Sequence, residues 1–200
     1  MKEQLRMVNR EVIAGVTEEA LMRPEHEDFE VIYGQLVEID TDMMGLLHTI
    51  VIDNVYDLIK PVVKEQGLGL VHTDGVKYVL HADENGIQLA HKPDLAFLRA
   101  GRIPADFDLY RRPFPGAPDF ALEVISLRQA TSDILDKVAD YLKYGTDEVW
   151  VIYPLKRELH RYRRDEQAPE IYTAAQQVQS PQLFPGLLIT VAELFRVEEG

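Results

Sequence analysis

The segment Asp119–Ser126, DFALEVIS, constrains the fold of this chain more than any other stretch. It is too short for a buried helix and rich in residues that favour extended backbone. Its apolar side chains alternate onto both faces of a strand, so neither face suits open water. A strand of that kind sits inside a sheet covered on both sides. The expectation is therefore an α/β or α+β fold, with a mixed central sheet flanked by helices and additional strands towards the N-terminus.

The rest of the chain supplies suitable neighbours. Thr17–Met22 reads as a short helix, with Thr17 as its N-cap and two acidic residues in its first turn. Phe29–Ile39 reads as two strands turning at Tyr33-Gly34. Asp42–Gln66 is a long helical segment closed by Gly67. Leu47, Val51, Val55, Leu58 and Val62 form its apolar stripe, and Pro61 predicts a kink or an early stop. Strands follow at Leu68–His72, Lys77–His81 and Ile87–Ala90, separated by turn signals at Asp74-Gly75 and Asn85-Gly86. Asp94–Leu98 is a further strand with Pro93 at its entrance. Arg99–Pro118 reads as a loop containing one helical turn. Thr131–Tyr144 is a helix ending at Gly145, and Glu148–Tyr153 with Glu158–Arg163 forms a hairpin. LFPGLLITVAELF closes the chain as a strand or loop and a last helical turn. No repeat or linker divides residues 1–200, so one domain is expected.

Composition narrows the chemistry. With 0 Cys, disulfides, thiolate metal sites and cysteine nucleophiles are excluded. The N-terminus lacks a continuous apolar signal region, and charges interrupt every apolar run before membrane-spanning length. A cytoplasmic protein with no membrane partner is expected. A net charge of −13 argues against nonspecific coating of nucleic acid. The charge is uneven, however: residues 92–164 carry 13 basic and 11 acidic side chains, the least acidic part of the chain. That region permits a polyanionic substrate without demanding one.

The same region holds the residues most difficult to explain as scaffold. Glu123 is a carboxylate within an apolar strand, and burying its charge is costly without a partner or a metal. If its face opens on a cleft, an ordinary exposed strand residue accounts for it equally. Asp94 stands at a strand entrance, although Asp after Pro also caps turns. Lys137 lies at the border of the apolar arc formed by Ile134, Leu135, Val138, Tyr141 and Leu142. There it can lay its stem on the core and turn its ammonium inward, or pair with Asp133 one turn earlier. Two carboxylates on neighbouring strands supply hard oxygen ligands for a divalent ion. A nearby ammonium offsets charge in a phosphoryl transition state. Zinc-type His/Cys spacing is absent, so Mg2+ or Mn2+ is the expected ion. His48 falls within the apolar arc of its helix, as a core histidine would. Ser126 lacks a recognisable His-acid arrangement and reads as strand-end hydrogen bonding.

KPDLAFL, PDFALEVIS and DILDKVADYLKYGTDEVWVIYP together resemble the Uma-type restriction endonuclease family, a branch of the PD-(D/E)XK nuclease superfamily. FEVIYGQLVEI upstream and FPGLLITVAELF downstream extend the resemblance from about Phe29 to Phe195. The most specific element is Asp136, Lys137, Tyr141 and Gly145 followed by EVWVI. The resemblance implies a restriction-endonuclease-like core and a metal-dependent endonuclease that hydrolyses DNA phosphodiester bonds. It also implies Asp94 and Glu123 as metal ligands and Lys137 as the catalytic lysine. The strand position that holds this lysine across the superfamily is Ile125 here, and the role passes to the following helix. Glu30 matches an early acidic residue that can contribute to the metal site. His48 is placed near the site, where it can orient Glu30 or water, and Tyr141 near the cleft. A homodimer is expected by analogy, because cutting both strands commonly uses two sites. The acidic surface and the absent strand lysine also suit a nuclease-fold binding or regulatory module, and nothing in the residues separates DNA from RNA as substrate.

Overall fold

The computed structural model describes residues 10–11, 15–39, 45–73, 75–110, 112–126 and 131–197. At its centre lies Phe120–Val124 (here β9), all five residues buried. It pairs antiparallel with β7 (Leu95–Arg99) and parallel with β10 (Glu148–Tyr153). Outward from β7 comes β4 (Gly69–Thr73), and outward from β10 come β11 (Glu158–Arg163) and β12 (Glu170–Thr173). The result is a mixed six-stranded sheet in the order β12-β11-β10-β9-β7-β4.

Strand alternation then distributes β9 between two cores. Phe120, Leu122 and Val124 face one side with Phe97, Trp150 and Ile152. There they meet α2 (Leu46–Glu65) and the C-terminal residues Leu183, Phe184, Val191 and Leu194. Ala121 faces the other side with Ala96, Val149 and Val151. That side is covered by Ile134, Val138 and Tyr141 of α3 (Thr131–Lys143), and by Tyr78, Leu80 and Leu89 of a second sheet. The second sheet runs β1-β3-β2-β6-β5-β8. Its strands are β1 (Arg10–Glu11), β2 (Phe29–Ile32), β3 (Gln35–Glu38), β5 (Tyr78–Asp83), β6 (Gly86–His91) and β8 (Phe114–Pro115). The expected extra N-terminal strands thus belong to a separate sheet and do not widen the central one.

The punctuation follows local chemistry. Both helices flanking the central sheet end in a Schellman arrangement around a glycine at positive φ. At Gly67 (φ +62°), Leu68 N–H donates to Val63 O at 3.0 Å. At Gly145 (φ +118°), Thr146 N–H donates to Tyr141 O at 2.9 Å.

Several expectations need correction. The helix passes through Pro61 and continues to Glu65, with Ile59 and Val63 buried on either side of the proline. Its inner stripe is His48, Val51, Val55, Ile59 and Val63. Leu58 and Val62 lie to one side of that stripe, and Leu47 is exposed. In α3, Leu135 is likewise exposed. Among the described residues of Arg99–Pro118 there is no helical turn; Phe114–Pro115 instead pairs parallel with Tyr78–Val79. Asp42–Met44 of the expected helix and Asp74 of the expected turn lie outside the described residues. Among the described residues, no helix is long and apolar enough to cross a membrane.

Candidate active site

Asp94 occupies the step just before β7. Its N–H donates to Leu122 O at 3.1 Å, which extends the β7–β9 ladder by one place. Its Oδ2 accepts the Val124 N–H at 2.6 Å. These two bonds bracket Glu123 and bring Asp94 alongside it. From the α2 side, His48 places Nε2 3.4 Å from the same Asp94 oxygen. Burial works against a charged imidazole here, but the Asp94 carboxylate prevails and raises the His48 pKa. His48 is therefore an inward-facing residue of the apolar stripe that contacts Asp94; its contact is not with Glu30.

Glu123 is only 3% exposed. It shares the strand face of Ala121 and so looks towards α3. Its Oε1 accepts the Tyr141 hydroxyl at 2.9 Å, and its Oε2 lies 3.7 Å from Lys137 Nζ. Burial pushes the Glu123 carboxyl up to about 7. The Asp94 and Glu30 carboxylates add to that rise, against Lys137 and the Tyr141 hydrogen bond. Lys137 is buried with its ammonium turned inward, and Glu123 and Glu30 raise its pKa in spite of that burial. Asp133, the alternative partner, is exposed and accepts from Ser132.

Glu30 reaches the same place from β2 and is equally buried. Its Oε1 lies 2.7 Å from Lys137 Nζ and accepts the Lys92 N–H at 2.9 Å. Its Oε2 lies 3.2 Å from His91 Nδ1. Burial alone would raise its pKa, but Lys137 and His91 together hold it well below the usual carboxylate range. His91 ends β6, and its Nε2 lies 2.9 Å from Asp140 Oδ2 on α3. Burial opposes charge on this ring too, yet the two carboxylates raise its pKa to about 9.

All six residues singled out from the sequence (Asp94, Glu123, Lys137, Glu30, His48 and Tyr141) therefore meet at one end of the central sheet. His91 and Asp140 join them from outside that set. Signals for both were present: His91 closes the largely apolar run GIQLAH, and Asp140 follows Lys137 by three residues on one helix face.

The donor set suits a hard divalent cation. Asp94 and Glu123 are adjacent carboxylates, and their mutual repulsion together with burial leaves Glu123 hard to ionise without a further positive charge. Among the described residues no group of three or more His, Asp or Glu side chains is arranged to hold a metal. Two carboxylates suit an ion such as Mg2+, which keeps several of its waters.

A family model described as "Uma2: Putative restriction endonuclease" matches residues 17–192. Among solved structures, the chain is similar to "a putative nuclease belonging to DUF820" from Anabaena variabilis ATCC 29413. The two share 22% identity and superimpose with a TM-score of 0.73, covering 90% of this chain and 97% of that one. At that identity the likeness shows a shared fold. No curated protein matches the chain.

Proposed function

The chain belongs to the Uma2 family, a family of restriction-endonuclease type, and on that premise we propose that it is a metal-dependent nuclease hydrolysing phosphodiester bonds in DNA. The observation that carries the reading is the buried Glu123 carboxylate set beside Asp94, with the Lys137 ammonium against it. Asp94 and Glu123 would hold Mg2+ or Mn2+, which polarises a phosphate oxygen and favours water as a nucleophile when bound. The chain's own groups do the rest. Val124 N–H and His48 fix one Asp94 oxygen, which sets the direction of the other. Tyr141 does the same for Glu123. Lys137 holds a positive charge at the edge of the two carboxylates, where it can stabilise negative charge building on the phosphate. A homodimer would supply two such sites, one for each strand of a duplex.

The test is a plasmid-nicking assay with Mg2+ or Mn2+, run beside an RNA substrate of matched length. Wild type should nick the plasmid, and Asp94→Asn or Glu123→Gln should abolish cleavage. Cleavage confined to RNA would replace the substrate. Wild type and variants equally inert across metals and substrates would favour a nuclease-fold binding module.

A further inference from the structure

Glu30 differs from the other two carboxylates in how completely it is occupied. Lys137 Nζ and Lys92 N–H share its Oε1, and His91 Nδ1 faces its Oε2. Three donors take three of the roughly four lone-pair positions of a carboxylate that is only 3% exposed, which leaves little room for a cation. Asp94 is more open: its Oδ2 takes Val124 N–H and His48. Glu123 takes the Tyr141 hydroxyl on Oε1, while Lys137 remains 3.7 Å from Oε2.

His91 is held from both sides. Its ring nitrogens face two carboxylates, Glu30 and Asp140, and it satisfies both only by donating from both nitrogens. The Tyr141 ring packs edge-on against it at 5.4 Å. Helix α3 thus supplies both ends of one chain, Asp140–His91–Glu30–Lys137, and the middle comes from β6 and β2.

We propose that His91, clamped by Asp140, is a positioning residue that makes Glu30 the fixed anchor of Lys137 and not a ligand of the metal. A lysine stem is long and mobile, and an immobile carboxylate 2.7 Å from Nζ turns it into a placed charge. Because this role rests on the nuclease reading above, its test carries readouts that do not depend on cleavage.

Four variants, Glu30→Gln, His91→Asn, His91→Gln and Asp140→Asn, are compared with wild type in three measurements. The first is Mn2+ affinity by calorimetry. The second is kcat for nicking, accompanied by a thermal midpoint. The third is the imidazole N–H resonances of protein with 15N-labelled histidine. Glu30→Gln and His91→Gln should lower kcat roughly tenfold or more, while Mn2+ affinity stays within about threefold of wild type. His91→Asn places an amide near the Nδ1 position, keeps the Glu30 contact, and should retain more activity than His91→Gln. One His91 N–H resonance should shift in Glu30→Gln and the other in Asp140→Asn. Tenfold weaker Mn2+ binding in Glu30→Gln would make Glu30 a ligand and overturn the proposal. Equal losses in His91→Asn and His91→Gln, tracking their thermal midpoints, would make His91 merely structural. Wild type that neither binds Mn2+ nor nicks DNA would remove the nuclease reading and the positioning role with it. His91 resonances indifferent to both carboxylate variants in an active enzyme would remove the anchor alone.

Discussion

At the scale of single residues, Glu123 is a carboxylate that is costly to ionise where it stands. Its carboxyl is raised by burial from 4.5 to about 7. A group whose pKa is raised on folding contributes stability that is complete below its unfolded value and lost as pH climbs through its folded value. For Glu123 that window runs from about 4.5 to about 7. Glu123→Gln removes the titration while leaving an amide for Tyr141. In the absence of metal, the variant's thermal midpoint should gain on wild type as pH rises from 5 to 8. A wild-type advantage that grows with pH would contradict the assigned shift. Substitution at Lys137 has the opposite effect on stability. Lys137→Met leaves Glu30 and Glu123 buried against an apolar chain and should cost roughly 3 kcal/mol or more by denaturant titration. A loss below about 1 kcal/mol would mean that the ion pairs contribute little to folding.

At the scale of elements, α2 shows how a periodic pattern can mark the right helix and only part of its buried face. Leu58 and Ile59 are both apolar and adjacent, and periodicity favours Leu58 together with Leu47 and Val62. The helix buries Val51 and Val55 of that stripe, with His48, Ile59 and Val63 inside in place of Leu47, Leu58 and Val62. The reason is the pull of the central sheet, where Phe97, Phe120 and Leu122 receive that face, together with His48 turned to Asp94. Ile59→Ala should therefore cost roughly 2–5 kcal/mol and Leu58→Ala clearly less, as measured by chemical denaturation. The reverse ranking would place the helix in another register. Pro61 belongs to the same account. Helix–sheet contacts on both sides of it hold the helix through the point where local propensity alone favours an end.

At the scale of the whole molecule, the proposed nuclease reading makes pH and metal act through the same cluster. His91 is raised from 6.5 to about 9, so its contribution is complete below 6.5 and is lost as pH climbs through 9. Glu123 and His91 thus push the metal-free protein in one direction, and its thermal midpoint should fall from about pH 5 to about pH 9. Glu30, with its pKa lowered, contributes stability that is lost only on strong acidification. A divalent cation held by Glu123, as proposed, would favour its ionised form. Millimolar Mn2+ should therefore raise the midpoint more at pH 8 than at pH 6, and binding near neutrality should release protons detectable by calorimetry in buffers of different ionisation enthalpy. An increment independent of pH would detach the metal from Glu123.

What the sequence by itself determined is what short-range physics governs. DFALEVIS is a central strand because neither of its faces suits water. Helices end at Gly67 and Gly145 because those positions take positive φ, and the β2–β3 hairpin turns at Tyr33-Gly34. Family resemblance and the cost of a buried carboxylate also singled out Asp94, Glu123, Lys137, Glu30, His48 and Tyr141, which the fold gathers at one end of the sheet. Only the tertiary structure decided which strands form which sheet, that Ile59 and Val63 of α2 lie inside in place of Leu58 and Val62, and that Lys137 turns to Glu30 and Glu123. It alone joined His91 to Glu30 across 61 positions of sequence and to Asp140 across 49. Such contacts leave no period and no local signature. They form because a buried charge must find its partner wherever the fold brings one.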